Sequence, residues 1–299
     1  MYIVQHRGLF FWITGLILAA AIGAILAFGL PLGIDFTGGS LLQVRYTNGV
    51  PSLADVEKQV SIVPLGAVSV RASGEDAVSI RTRTMTPEEH DAILAALSSA
   101  GPVTELSYTS VGPALGSQFA SKALWAIFAV VLVIVLYIAF AFRKVSKPVP
   151  SWGYGLIVVA MLAIDLIVPT GFFAALAHYT GVQVDSLFIV ALLALLGYCV
   201  NDVIVIFDRI REHLARNEKT GFKESFEETI GKSISETMTR SINTALTVVF
   251  ALLALIFFGA HATRDFALVM LVGVAVGTFS SIARSAPLLI PISGWFVKK

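Results

Sequence analysis

The sequence predicts an α-helical membrane protein: six transmembrane helices with one small α+β domain between helices 1 and 2. Three observations carry this. Hydrophobic residues make up 56% and charged residues 14% of the 299, and the mean hydropathy is +0.82, more apolar character than a soluble chain of this size can bury. Six apolar runs approach the roughly twenty residues a helix needs to cross the hydrocarbon layer, at 8–30, 120–142, 152–177, 186–207, 241–259 and 266–290. Between the first two runs, the pattern changes to alternating polar and apolar positions with two helical patches.

The first run follows a short basic start, the pattern of an export signal. It is long, and no clear small-residue cleavage site follows it, so it reads as a retained helix. The α+β segment comes next. Leu41–Tyr46 reads as a strand, Ser52–Val60 as a helix capped by its serine, and Val68–Ala72 as a second strand. Then the order repeats: Ala77–Arg83 is a strand, Thr86–Ser99 a helix with Thr86 as cap and Pro87 and Glu88 in its first turn, and Thr104–Thr109 a strand. The result, β-α-β-β-α-β, is the ferredoxin-like split pattern of about seventy residues, which folds as a compact two-layer unit and by itself names no chemistry. From Gly33 to Gly116 nine acidic residues face five basic ones, a balance that keeps a surface soluble.

Two Gly-rich connectors flank this domain. Gly33-Ile34-Asp35-Phe36-Thr37-Gly38-Gly39 permits tight turns and positive φ, with Asp35 and Thr37 able to bond local amides, and Val111-Gly112-Pro113-Ala114-Leu115-Gly116 returns the chain to the second helix. Both are expected to bend. The domain boundaries expected are therefore 1–31 for the first helix, 32–118 for the α+β domain and 119–299 for five further helices, with a loop at 208–239.

Basic residues orient the spans, because Lys and Arg concentrate on the cytoplasmic side. Arg143, Lys144 and Lys147 follow the second span, seven Lys or Arg lie from Arg209 to Arg240, and Lys298 and Lys299 end the sequence. All fall on one side, so both termini are predicted to be cytoplasmic and residues 32–118 to lie outside. Formal net charge is only +1, which offers nothing to nucleic acid. Cys199 is the single cysteine, so no internal disulfide staples the domain, and the residue reads as a small packing element. His6, His90, His178, His213 and His261 show no metal-binding spacing, and no Gly-rich loop followed by Lys and Ser or Thr provides a nucleotide site. No cofactor and no enzymatic activity are expected.

The polar residues inside the spans are the functional suspects. Asn201 and Asp202 interrupt the fourth run, and even lenient insertion scales charge about 2.5 to 3.5 kcal/mol for a carboxylate at a helix centre. Such a group faces a partner or a wet cavity and serves a pathway, or, with Asn201, forms a structural hydrogen-bonding pair between helices. At about 1.5 Å per residue, Asp202 lies roughly 9 Å in from Asp208, and Asp165 in the third span about 21 Å from Ser151. Arg240 sits at the edge of the fifth span, followed by Asn243, Thr244 and Thr247 on one face. It serves either as a counter-charge for Asp202 or as an anchor at the membrane surface. Asp165, Asn201, Asp202 and Arg240 together form the expected proton relay, in which making and breaking an Asp202–Arg240 contact captures and releases a proton. Pro169 and Gly171 suggest a kink beside Asp165. Phe222, Phe226, Ile230, Ile234 and Met238 mark an amphipathic helix on the membrane surface or leading into the fifth span. Gly273 and Gly277, four apart, let another helix approach closely, and Gly197 is grouped with them.

These segments resemble the signatures of the SecD/SecF family, the paired membrane proteins that assist the prokaryotic protein-export channel. The stretch from Gly33 to Gly39 is similar to the family's glycine-rich signature. Gly197 to Glu212 resembles the SecF form of the fourth-helix motif, Thr239 to Thr244 the start of the fifth helix, and Gly273 to Ser281 the sixth. Cys199 stands where the family usually has serine, and Val203 where it has threonine. Arg284 is unexpected, and is predicted to pair with an acidic residue on a partner or to reach toward the cytoplasmic face.

The resemblance implies a plasma-membrane subunit of a prokaryote that works with SecD and a SecYEG-type channel. It uses protons moving down their gradient to promote passage of exported, unfolded polypeptide, in contact with membrane lipid. It further implies that the Gly273 and Gly277 face meets SecD's matching six-helix half, because the two proteins are similar to the halves of resistance-nodulation-division transporters. An alternative is a proton-driven small-solute exporter half of that superfamily, for which a domain of about eighty residues leaves little room for a deep pocket. A passive assembly scaffold is the third reading.

Overall fold

The computed structural model describes residues 2–47, 49–73, 76–143, 149–221, 224–259 and 261–297. Lys144, Lys147, Phe222, Lys298 and Lys299, which figured in the orientation and amphipathicity arguments, lie outside the described residues. In chain order the elements are α1 (Tyr2–Gln5), α2 (Arg7–Phe28), α3 (Ile34–Thr37), β1 (Gly39–Tyr46), α4 (Leu53–Val60), β2 (Ser69–Ala72), β3 (Ala77–Thr82), α5 (Pro87–Ser98), β4 (Val103–Val111), α6 (Pro113–Ala141), α7 (Ser151–Thr180), α8 (Ser186–Thr220), α9 (Phe226–Phe258) and α10 (His261–Ser280). A π-helical turn (Ser281–Ser285) and α11 (Leu289–Val297) follow. The chain divides into a small unit, 31–125 with 183–186, and a large unit comprising 1–30, 126–182 and 187–299.

The small unit contains an antiparallel sheet of order β2-β3-β1-β4, the arrangement a split β-α-β-β-α-β chain produces. Alternation does the sorting: Leu42, Val44 and Ile80 turn to one face and meet Val56 and Val60 of α4 and Ile93 and Leu97 of α5, all fully buried. Both helix starts are built as their sequences predict. Ser52 Oγ accepts the Asp55 N–H at 3.2 Å. Thr86 and Glu89 exchange bonds in a capping box, at 3.3 Å and 2.9 Å, with Pro87 in the first turn. The register of β1 on β4 slips between Gln43 and Val44, leaving Leu106 as the extra residue of a bulge.

Among the described residues, six helices are long and apolar enough to cross a membrane. In the large unit the core is built from α7, α8 and the α10 region, while Trp12, Leu16 and Leu26 of α2 and Phe128 and Leu136 of α6 remain exposed, as lipid-facing side chains do. Phe142, Tyr154 and Phe207 pack ring against ring, with Tyr154 stacked on Phe142 and edge-on to Phe207, each at 5.2 Å. Pro169 sits inside α7 without ending it.

Two differences from the sequence reading matter. Most of the predicted loop 208–239 is helix: α8 runs to Thr220 and α9 starts at Phe226 behind a Ser225–Glu228 capping box. Charge pairs support the extension, Arg209 bonding both Glu212 and Glu236 while His213 meets Glu236 at 3.0 Å. Ile230 and Ile234 are buried in the same core cluster as Ile206 and Ile210, and the stretch runs without a break into the fifth span, one of the two placements its amphipathic pattern offered. The last span also breaks, passing into a π turn and then α11. Pro287 has no N–H and its ring crowds the carbonyl four residues back, that of Ala283, and the widened turn at 281–285 accommodates it.

Candidate functional site

On α8, Cys199, Asp202, Val203 and Ile206 recur at helical spacing and all are buried. Asp202 therefore faces the interior, only 4% exposed. Its Oδ1 accepts the Ser241 hydroxyl of α9 at 3.2 Å and its Oδ2 accepts the Ser281 hydroxyl of the π turn at 3.3 Å. Asn201, one position away and so about 100° around the helix, is exposed.

Arg240 is exposed on α9 and makes no ion pair with Asp202, although its charge still acts on that carboxylate from beyond bonding distance. The expected contact is absent for a geometric reason. Ser241, the next residue, occupies the buried face at 1% exposure and takes the carboxylate, which turns Arg240 away. Asn243 and Thr247 are likewise exposed, and the hydroxyls of Thr244 and Thr247 donate to the carbonyls of Arg240 and Asn243, each at 2.9 Å. The polar residues of α9 thus do not continue the Asp202 site inward.

Asp165 on α7 is 2% exposed, and its partner is Arg284 of the π turn, also 2% exposed, with Nη2 3.7 Å from Oδ1. Arg284 accordingly neither reaches the membrane surface nor awaits a partner's acid. It pairs within its own chain, because the π turn points it inward at a carboxylate that is otherwise buried without counter-charge. Ser280 and Cys199 are hydrogen-bonding groups facing the same carboxyl. One turn therefore serves two carboxylates, with Ser281 on Asp202 and Arg284 on Asp165. Sequence reasoning marked Arg284 as unexpected without matching it to Asp165, and gave no role to Ser241 or Ser281. Arg284 had a visible signal, being the opposite charge to Asp165 in an apolar run, whereas two serines among many had none. Among the described residues no group of three His, Cys, Asp or Glu is placed to hold a metal.

The glycine-rich connector is tied rather than open. Ile34–Thr37 forms a single helical turn with Thr37 Oγ1 donating to the Gly33 carbonyl at 3.0 Å, and Phe36 of that turn is buried. Gly33 N–H donates to Val184 O at 2.7 Å, and Val184 N–H donates to Pro31 O at 2.8 Å. Asp35 bonds no local amide. Its Oδ2 accepts the N–H of Ser186 at 2.8 Å, placing a carboxylate at the N-terminus of α8, where the helix dipole favours it. Gly38 has φ +75°, and a Cβ there would lie 2.7 Å from Pro113 Cα in the second connector; only glycine serves. Gly39 opens β1 opposite Val111, and a Cβ there would lie 2.6 Å from the Thr82 carbonyl oxygen. Arg81 Nη1 donates to Leu32 O at 3.2 Å, and burial, with Arg71 nearby, holds that guanidinium below its ordinary pKa.

Gly273 and Gly277 also pack within the chain. A Cβ at Gly273 would overlap the Leu195 side chain and one at Gly277 the Cys199 sulfur, so α8 occupies the face that was expected to receive another subunit. Gly197 is exposed with nothing near its missing Cβ and is not a packing position in this chain.

Six apolar spans, a ferredoxin-like insertion and two buried carboxylates held across four helical segments define a multi-pass membrane protein with charge stored in its core. A family model described as the C-terminal region of the protein export membrane proteins SecD/SecF matches residues 92–295, and one for the SecD/SecF GG motif matches 23–50. The sequence is 38% identical to the protein translocase subunit SecF of Thermobaculum terrenum and 35% identical to that of Anaerolinea thermophila. In each case the match covers 96% of this chain and 92% of the relative. Among solved structures, the crystal structure of SecDF, a translocon-associated membrane protein from Thermus thermophilus, superposes with a TM-score of 0.81 at 29% identity over 97% of this chain. A SecDF structure in a super-membrane-facing form gives 0.64 at 30% identity over 94%. This chain spans 38% of the first SecDF chain and 37% of the second. The chain belongs to the SecD/SecF family of protein-export membrane proteins, in its SecF branch of protein translocase subunits.

Proposed function

We propose that this chain is a plasma-membrane subunit of a prokaryotic protein translocase that acts with a SecD-type partner and a SecYEG-type channel, using proton movement to promote passage of unfolded polypeptide. Both termini are cytoplasmic and the ferredoxin-like domain lies outside. The observation that carries the reading is Asp202, a carboxylate inside a membrane span whose hydrogen bonds come from two hydroxyls, with the Arg240 charge acting on it from beyond ion-pair distance. A hydroxyl accepts as well as donates, so Ser241 and Ser281 accommodate the carboxyl with or without its proton. A fixed guanidinium at that position would favour the charged form alone.

Proton capture at Asp202 alters what the carboxyl asks of Ser241 on α9 and Ser281 on the π turn, and so biases the packing of α8 against both. Asp165 supplies a second carboxylate. Arg240 and Asn201, exposed in this chain, face outward where a SecD-type partner's path residues meet them. The connector at Gly33–Gly39, with Asp35 on the start of α8, passes the helix movement to the outer domain. The naming of the relatives as protein translocase subunits supports this direction.

Replacing Asp202 by Asn keeps the shape and removes the proton site. In vesicles reconstituted with the SecD-type partner and channel, the variant should assemble normally and lose proton-dependent stimulation of export. Full stimulation by the variant would rule out the mechanism.

A further inference from the structure

We propose that Ser281 is a hydrogen-bond switch that carries the protonation state of Asp202 into the backbone of α10. The inference rests on the proton-coupled reading given above, and goes beyond it in naming the group that moves and where its bond goes. The Ser281 hydroxyl has two acceptors in reach and one proton to give. Its Oγ lies 3.3 Å from Asp202 Oδ2 on α8 and 2.9 Å from the carbonyl oxygen of Thr278, three residues back on α10. A hydroxyl donates once, so the two bonds exclude each other. Ser281 is fully buried, so bulk water takes neither place, and exchange needs only rotation about the Cβ–Oγ bond.

Ser241 is different. The hydroxyls of Ser233, Thr237, Thr244 and Thr247 on the same helix donate to the carbonyl four residues back, whereas among the described residues Ser241 donates to Asp202 Oδ1 alone. Oδ1 therefore keeps its donor, and Oδ2 is the oxygen that takes a proton. With Asp202 ionised, the Ser281 proton points at Oδ2, because a carboxylate accepts more strongly than a neutral carbonyl. When hydronium gives its proton to Oδ2, one O–H bond forms as another breaks and water is left. The new carboxyl O–H donates to Ser281 Oγ, and the proton of Ser281 swings to the Thr278 carbonyl. The carboxyl and the hydroxyl keep partners in both states, so neither state leaves one of them buried and unpaired.

A side-chain hydroxyl that donates to a carbonyl of its own helix bends the helix there. Thr278 is placed for that bend to matter. Its own hydroxyl meets Tyr198 Oη of α8 at 3.2 Å, and the π turn that begins at Ser281 carries Arg284, the partner of Asp165. The titratable and charged groups around Asp202 are Tyr198 and Cys199 on its own helix, Arg240 on α9, and the Asp165–Arg284 pair of α7 and the π turn. Asp165 is the one that a pH titration must separate from Asp202, which a variant at Asp202 does.

Thr278-Phe279 is the only Thr-Phe step in the sequence. Isotopic labelling of threonine carbonyl carbons and phenylalanine nitrogens therefore picks out this one carbonyl by solid-state NMR, in the full chain with its unlabelled SecD-type partner in lipid bilayers. A carbonyl carbon moves downfield when its oxygen gains a hydrogen bond, so lowering the pH through the titration of Asp202 should move the Thr278 signal downfield. In Asp202→Asn the side-chain amide donates toward Ser281 and accepts from Ser241, the pattern of the protonated acid, and the signal should hold the downfield position at every pH. In Ser281→Ala it should hold the upfield position, and proton-dependent stimulation of export in vesicles should fall several-fold. A Thr278 signal that ignores pH in the native protein, or that still titrates in Asp202→Asn, overturns the switch. Native stimulation in Ser281→Ala overturns its part in coupling. Either result leaves Asp202 as the proton site, which is judged separately by the loss of stimulation in Asp202→Asn.

Discussion

Replacing Arg284 by Gln isolates what the π turn contributes to stability. Asp165 and Arg284 each keep only 3% of their side-chain surface, and their charges approach to 3.7 Å. At an effective dielectric of about 20, attraction at that distance is on the order of 4 kcal/mol. Desolvation of both groups offsets most of this in the intact pair, so the pair as a whole adds little. Removing one partner is different, because the remaining buried charge keeps its desolvation cost with nothing to oppose it, about 3 to 5 kcal/mol. Arg284→Gln should therefore lower the melting temperature by on the order of 10 °C. Asp165→Asn combined with Arg284→Gln leaves two neutral amides and should restore most of the loss. Cys199 provides the assay, being the only cysteine and 1% exposed, so a thiol-reactive fluorogenic dye reports unfolding in detergent. An Arg284→Gln variant that melts with the native protein, or a double variant no more stable than the single one, would refute the reasoning.

Two further outcomes follow from the geometry. Gly277→Val drives methyl groups into the Cys199 sulfur and should cost about 1 to 3 kcal/mol. Adding Cys199→Ala should recover part of that when melting is followed by circular dichroism, which needs no thiol, and strict additivity of the two changes would show that the helices do not touch there. In the ferredoxin-like domain, hydrogen bonds from Arg83 and from the Thr86 amide hold the Glu89 carboxyl below its ordinary value of 4.5. A depressed folded pKa contributes stability that is full above the unfolded value and disappears as pH falls through the folded one. Amide exchange along α5 should thus accelerate as pH falls below about 4.5 relative to the intrinsic rate. Glu89→Gln should remove that acid dependence, and an identical profile in the variant would exclude Glu89 as its source.

Much of this architecture was legible because it depends on local periodicity. Six spans, two capped helices and four strands announce themselves through runs, alternation and the Ser52 and Thr86 caps, all of which act over a few residues. Asp202 and Asp165 stood out for a similar reason, since burying a carboxylate in an apolar run is costly whatever surrounds it. Which group answers each charge is another matter, because it depends on rotation about helix axes that no local pattern specifies. A single step of about 100° turned Arg240 outward and Ser241 inward, and the turn accommodating Pro287 aimed Arg284 at Asp165. The same holds for Asp35, whose acceptor lies 151 residues away at Ser186, and for Gly273 and Gly277, whose partner is α8. The sequence alone determined where charge would be buried; only the tertiary packing decided which side chains share it, because partners are chosen by helices meeting in space and not by neighbours along the chain.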